Sequence, residues 1–440
     1  MVPVRVQYHP EPLEELLLPG TGVVLAFAAL SFGATPFWAR GVVELSVLAL
    51  VGLWWAAGAL RGELRCDLPA LFFPMLAIFL LACLQAYAGL SAYPPATRAE
   101  VWELFAVGAF FLLLHNQLSS PERLERFTTG LLLFAAVLAV FGILQSVSFN
   151  GKLYWTWELP QGGTPFGPFI NRNHYAAWVL LLVPLAWVKL ARRHPRRELQ
   201  FFWGLVLFLL GLSIMLSRSR AGTLLFVLGL LLAWFFGRRR RSSGRLSMWL
   251  PLGLILLAAL ATLALDTGKV VSRWGALSEA VAGTEEGGRH RWQMWRDTGG
   301  MIADHLWLGS GLETFGVLSD SYRSFYSNRQ WLRAHNDYLQ WLAETGLVGG
   351  TLAVWFLVVF ARTAAEKLRL AHQDPRRRLC VGAFVGCLLV LLHSLVDFPL
   401  RVPANALLFA ALLAVLSAPV ALKQTPSHRR VIEQAEFRQV

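Results

Sequence analysis

Five groups of residues in this chain of 440 have the types and spacing for chemistry on an anionic substrate. Ser217-Arg218-Ser219-Arg220-Ala221-Gly222 sits in a tight turn between two apolar runs. Arginine at membrane depth is costly and points to function by default. Two guanidiniums near a helix N-terminus make an anion site suited to a pyrophosphate. A second group runs from Arg289 through His290, Arg291, Trp292 and Trp295 to Arg296. On a helix, Arg289, Trp292 and Arg296 share one face and Arg291 and Trp295 an adjoining one. That is the pattern of an interfacial helix with Trp at headgroup level and Arg turned to phosphates. Third, His335 precedes Asn336 and Asp337 where the chain becomes apolar again. A neutral imidazole there can take the proton of a sugar hydroxyl near physiological pH. Sharing a helix face with Leu339, His335 would point into a cavity, with Asn336 or Asp337 as the cap. Fourth, Gly167 to Ala176 brings Arg172 and Asn173 to the start of another apolar run, with Asn171 or Asn173 as its cap. Fifth, His393 and Asp397 are four apart, so a helix would hold them on one face as a pair in which the carboxylate orients or charges the imidazole.

Each group also has a plainer reading. Arginines snorkel to lipid headgroups, an amphipathic helix can simply lie on the bilayer, and a buried Asp–His pair can be a satisfied structural contact. Location favours function. Arg172, Arg218, Arg220, Arg289, His335, His393, Asp397 and Arg401 all fall on one side of the membrane in the topology that follows.

The elements that must position these groups are apolar. Hydrophobic residues make up 56% of the chain and charged residues 15%, against about 25% charged in a soluble domain, and the mean hydropathy is +0.51. Taking about 20 apolar residues per span, the chain offers twelve: about 20–38, 42–60, 68–88, 100–115, 128–148, 174–190, 200–216, 221–236, 247–265, 336–360, 379–396 and 403–421. With the N-terminus inside, the cytoplasmic segments carry 25 Lys and Arg and the short external loops 7. This is the bias that sets topology, and it places both termini in the cytoplasm. The net charge of +13 is thus mainly topological and gives no support to nucleic-acid binding. The basic run Arg238 to Arg241 acts as a headgroup anchor. Residues 1–19 lack a signal-peptide pattern and would form a short helix on the membrane surface.

The expected fold is therefore all-α: a polytopic membrane protein of about twelve transmembrane helices with one large external loop. Residues 1–265 form an N-terminal membrane domain of about nine helices and 266–334 a periplasmic cap. Residues 335–421 add about three helices, and 422–440 form a cytoplasmic tail. Cys66, Cys83, Cys380 and Cys387 lie outside the loop, which leaves no external disulfide framework. No Cys/His cluster or acidic pair suggests a metal, and no cofactor is implied. No internal repeat appears.

These motifs resemble the O-antigen ligase and polymerase family of bacterial inner-membrane proteins. The resemblance rests on Ser217 to Gly222, on Gly288-Arg289 through Trp295, and on Leu308-Gly309-Ser310-Gly311 with Phe315. It continues in His335-Asn336-Asp337-Tyr338-Leu339 through Gly346 and in His393-Ser394-Leu395-Val396-Asp397-Phe398. Together these cover about half of the chain, residues 167 to 400. It implies a GT-C-type glycosyltransferase that moves a glycan from undecaprenyl diphosphate to a sugar hydroxyl, without a metal and with inversion. The acceptor is lipid A core in a ligase and a second lipid-linked glycan in a polymerase. Carried over, Arg218 or Arg220 and Arg289 bind the diphosphate and His335 activates the acceptor. Arg172, Asn173, Arg291, Asp337, His393 and Asp397 support them. A rival of another class is a transporter of a small anion such as inorganic carbon. Transporters place ionisable groups at the midplane of repeated halves, whereas here they gather at one boundary.

Overall fold

The computed structural model describes residues 12–62, 66–159, 163–192, 196–237, 249–265, 286–327, 331–370 and 375–419. The basic run at 238–241, the loop segment 266–285 and the tail from 420 lie outside them. Fourteen α-helices form among the described residues: α1 (Pro12–Leu30), α2 (Phe37–Leu60), α3 (Phe72–Tyr87), α4 (Pro94–Gln117), α5 (Pro121–Val147), α6 (Arg172–Leu190), α7 (Arg197–Leu216), α8 (Arg220–Gly237), α9 (Trp249–Leu265), α10 (Glu286–Asp304), α11 (Phe315–Tyr322), α12 (Asp337–Leu368), α13 (Pro375–His393) and α14 (Pro403–Ser417). Their starts carry local signals. Ser120 accepts from Arg123 N at the head of α5, Asn171 from Asn173 N at α6, and Asn336 from Tyr338 N and Leu339 N at α12. Pro opens α4, α5 and α14, where the missing N–H costs nothing. Among the described residues β structure is confined to isolated bridges within 153–171.

The protein is all-helical and membrane-type. Each of the twelve apolar runs overlaps a helix, and among the described residues five helices (α2, α5, α6, α7 and α12) are long and apolar enough to cross a membrane. The first run is displaced from its expected place. Helix α1 already begins at Pro12, so residues 12–19 belong to it rather than to a separate surface helix, and Glu14 is buried against Arg61. The chain then breaks before Phe37, because Gly33 takes φ 71° in the 3-10 turn Phe32–Ala34 and Pro36 follows.

Helix α6 is the hub. Its membrane window is 94% buried, against 22% for α12, so α6 touches protein on all sides while α12 keeps a lipid-type face. Helices α7, α8 and α13 surround it. The α6–α13 contact is a close crossing at Gly382 and Gly386. A Cβ at Gly386 would lie 2.2 Å from Leu181 O, so only glycine permits the approach.

Above this bundle, α10 and α11 pack on the first half of α12 through Met294, Met301, Phe315, Ala334 and Ala343. The fastening beside them is main chain to main chain. Ser310 N donates to Ala343 O (3.0 Å), Gly311 N to Glu344 O (3.0 Å), Leu347 N to Leu306 O (2.8 Å) and Val348 N to Trp307 O (3.1 Å). Helix α12 opens to admit these bonds at Gly346, whose φ of 61° and ψ of −162° are not helical. The buried amide of Gln85 in α3 clamps the joint, donating to Leu308 O (2.6 Å) and Glu344 O (2.7 Å).

A side chain has no place in this joint. A Cβ on Gly309 would sit 2.1 Å from Glu344 C, and one on Gly346 2.5 Å from Trp307 C. Gly309→Ala and Gly346→Ala should each lower the thermal unfolding midpoint of the purified protein, with a loss of about 1–3 kcal/mol. Gly108→Ala, where nothing lies within 4 Å, should not. Equal midpoints for all three would show that the joint does not hold the fold.

Candidate active site

Asp397 is the centre of the site. It lies in the turn after α13, 2% exposed, and accepts three hydrogen bonds: Asn173 Nδ2 at 2.7 Å, His335 Nδ1 at 3.2 Å and Phe398 N at 3.0 Å. Burial pushes its carboxyl up. The hydrogen bond from His335, with the imidazoles of His174 and His393 close by, holds it below the usual carboxylate range.

His335 lies one residue before the Asn336 cap rather than on the helix, with φ 52°. It therefore shares no helical face with Leu339. Its direction comes from Asp397 and from two rings, Trp331 at 5.7 Å and Phe398 at 5.1 Å, both edge to face. The stack continues outward. Trp331 meets Phe325, Phe325 stacks on His290, and Trp295 Nε1 donates to Ala334 O at 2.8 Å. Helix α10 is thereby docked beside His335. Its buried face is Met294, Thr298 and Met301, which leaves Arg291 half-buried next to Trp295 and turns Trp292 and Arg296 to the outside. The side chain of Arg289 lies outside the described set.

His393 does not pair with Asp397. Helix α13 ends at His393, and the following turn swings the carboxylate to Asn173 and His335. Both ring nitrogens of His393 are buried without a hydrogen-bond partner among the described residues. Asp337 is tied to the same turn, its N donating to Ser394 O and its Oδ2 accepting from Ser394 Oγ at 2.8 Å.

The turn from Ser217 to Gly222 is as tight as its sequence suggests. Helix α7 stops at Leu216, α8 starts at Arg220, and Arg218 between them has φ 57°. Gly222 allows Ala176 of α6 to approach so closely that a Cβ would meet its methyl at 2.7 Å. Ala176 is one turn from Asn173, so this turn packs on the end of α6 that presents Asn173, and Arg172 opens the same helix.

Sequence reasoning missed a second cluster beside the first. Arg401 is buried against Glu313 (2.7 Å), Glu344 (2.7 Å) and Asp337 (3.6 Å), and Arg333 shares Glu313 at 2.6 Å. Glu344 is fully buried and also accepts from Phe315 N and Gln340 Nε2. Burial pushes Glu313 up, yet the two guanidiniums bring it down to about 2. The signal was present, since Glu344 is an acid inside a long apolar helix. Among the described residues no three His, Cys, Asp or Glu side chains group to hold a metal ion.

The site as a whole can orient an imidazole with a carboxylate. A family model described as O-antigen ligase matches residues 205–355. The resemblance seen in the motifs thus holds over about a third of the chain, from α7 to the second half of α12, and this stretch contains Arg218, Arg220, Arg289, Arg291, His335 and Asp337. Asn173, His393, Asp397 and Arg401 lie outside it. No curated protein matches the chain.

Two tests follow from the charge cluster. Arg401→Met leaves Glu313, Glu344 and Asp337 without their shared counter-charge and should cost about 3–5 kcal/mol of stability. Glu313 has a depressed value, so its contribution is complete above its ordinary 4.5 and is lost as pH falls toward about 2. Thermal unfolding followed across that interval should show a shallower decline for Glu313→Gln than for the parent. Parallel curves would remove Glu313 from the account.

Proposed function

We propose that the chain is an O-antigen ligase-type glycosyltransferase that moves a glycan from undecaprenyl diphosphate to an acceptor sugar hydroxyl, with lipid A core as the acceptor. The observation that carries this reading is the His335 Nδ1 to Asp397 Oδ1 contact of 3.2 Å. It sets the tautomer: Nδ1 donates to the carboxylate, and Nε2 is left with the lone pair of a base. In the proposed step the acceptor oxygen bonds to the anomeric carbon as the carbon–oxygen bond to the diphosphate breaks. The electron pair leaves with undecaprenyl diphosphate, the hydroxyl proton passes to His335 Nε2, and attack from the face opposite the leaving group inverts the centre. Asp397 stabilises the imidazolium that results. Arg218 or Arg220, with Arg289, takes the diphosphate charge, and Arg172 and Arg291 add to the same field. Diphosphate is a good leaving group, so positioning and charge suffice and no metal is required.

In this reading the chain crosses the bacterial inner membrane twelve times in a GT-C-like arrangement, both termini face the cytoplasm, and the site opens to the periplasm beneath the 266–334 cap. The split of 25 against 7 basic residues supports that orientation.

Donor turnover by the purified protein tests the mechanism. His335→Ala should abolish transfer, and Asp397→Asn should lower kcat by about 10²–10⁴-fold, with donor binding retained in both. Near-normal turnover in His335→Ala would remove it as the base. Arg289→Ala should weaken donor binding, and Arg289→Lys should not restore it where the contact is bidentate. EDTA should leave the rate unchanged, and inhibition reversed by Mg²⁺ would contradict the metal-free step. Deleting the gene separates ligase from polymerase. Core without O-chain, with long polymer retained on the lipid carrier, indicates a ligase. Core bearing a single repeat unit indicates a polymerase.

A further inference from the structure

At the end of the bundle opposite His335, helices α1 and α5 diverge and leave a groove of about 640 Å³. Its mouth carries Glu15, Arg123 and Arg126, and its walls are apolar, from Leu18 to Ala26 on α1 and from Phe127 to Phe134 on α5. The concavity comes from missing side chains. Gly22 and Gly130 face into it, and a Cβ on either would meet nothing within 4 Å.

We infer that this groove binds one anionic glycerophospholipid, its phosphate at Arg123 and Arg126 and one acyl chain along Gly22 and Gly130. Three features argue for this occupant. From Glu15 to Ala26 a helix rises roughly 16 Å, about half of the ~30 Å hydrocarbon core and so the depth of one leaflet. The mouth has two basic groups to one acid, which favours an anionic over a zwitterionic headgroup, and basic pockets between membrane helices take such headgroups. Arg123 is held in place by Gln117 Oε1 at 2.9 Å and by Glu14 O. That leaves it a fixed guanidinium at the groove mouth rather than a solvated side chain, while Arg126 is exposed beside it. This inference is independent of the glycosyltransfer reading, because none of these residues touches the His335 cluster.

The test uses the full-length protein, purified, delipidated and titrated with phosphatidylglycerol or phosphatidylcholine, with bound lipid counted by native mass spectrometry. The expected result is one tightly held phosphatidylglycerol per chain and no matching phosphatidylcholine. Arg126→Gln should weaken retention roughly five-fold, the ~1 kcal/mol of one basic residue at an anionic surface. Gly130→Leu should fill the groove and abolish retention while raising helix propensity. It therefore blocks the site without unfolding the protein, and an unchanged thermal midpoint confirms this. Retention that ignores headgroup charge, or that survives Gly130→Leu in a folded protein, overturns the proposal. So does cross-linking that shows a helix of a second copy in the groove.

Discussion

A buried positive charge must be compensated, and Arg401 is compensated by three carboxylates from two other parts of the chain. Glu313 comes from the segment before α11, and Asp337 and Glu344 come from α12. The guanidinium itself sits on the turn between α13 and α14. None of these elements can move away without leaving a charge in a dry environment, at a cost of several kcal/mol. Burial alone would lower the Arg401 value, but Glu344, Glu313 and Asp337 raise it instead, so the guanidinium stays charged. The same constraint sets the site. Asp337 is bonded to Ser394, and three residues further the turn delivers Asp397 to His335 and Asn173.

The residues of the site were legible because apolar helices leave few ionisable groups to consider. His335, Asp397, Asn173 and the arginines of the 217–222 turn stood out by type and by position at the ends of apolar runs. Their partners were not legible. Asn173 and Asp397 are separated by about half of the chain, and Glu313 meets Arg401 through tertiary packing alone. Helical spacing suggested that Asp397 belongs to His393. That inference failed because α13 stops one turn early and the rule for residues four apart no longer applies. The helical arrangement was legible in the length of its apolar runs, but boundaries slipped where a single residue breaks a run, as Gly33 and Pro36 do after α1.

The two ends of the bundle differ in how they treat charge. At the His335 end, arginines and carboxylates are drawn inward and bonded to one another. At the opposite end, several basic side chains close off the ends of helices instead: Lys367 donates to Ala418 O, Arg376 to Pro419 O and Arg377 to Leu368 O. Cations at helix C-termini are favourable in themselves, and the ion pairs at that end, Glu14 with Arg61 and Lys189 with Glu125, each join an acid and a base from different helices. Helix α6, buried along its length, passes between the two ends and presents Asn173 to one and Lys189, bonded to Glu125, to the other.

The joint between residues 306–311 and α12 is made of carbonyls and amides, with glycine at its two tightest points. Main-chain bonds are blind to side-chain identity. Outside Gly309 and Gly346, the outward-facing residues of this segment can therefore be exchanged without loosening its attachment. Such a joint separates the frame from the surface it carries. One helical scaffold could then be redressed on that surface, with His335 held at the same spot.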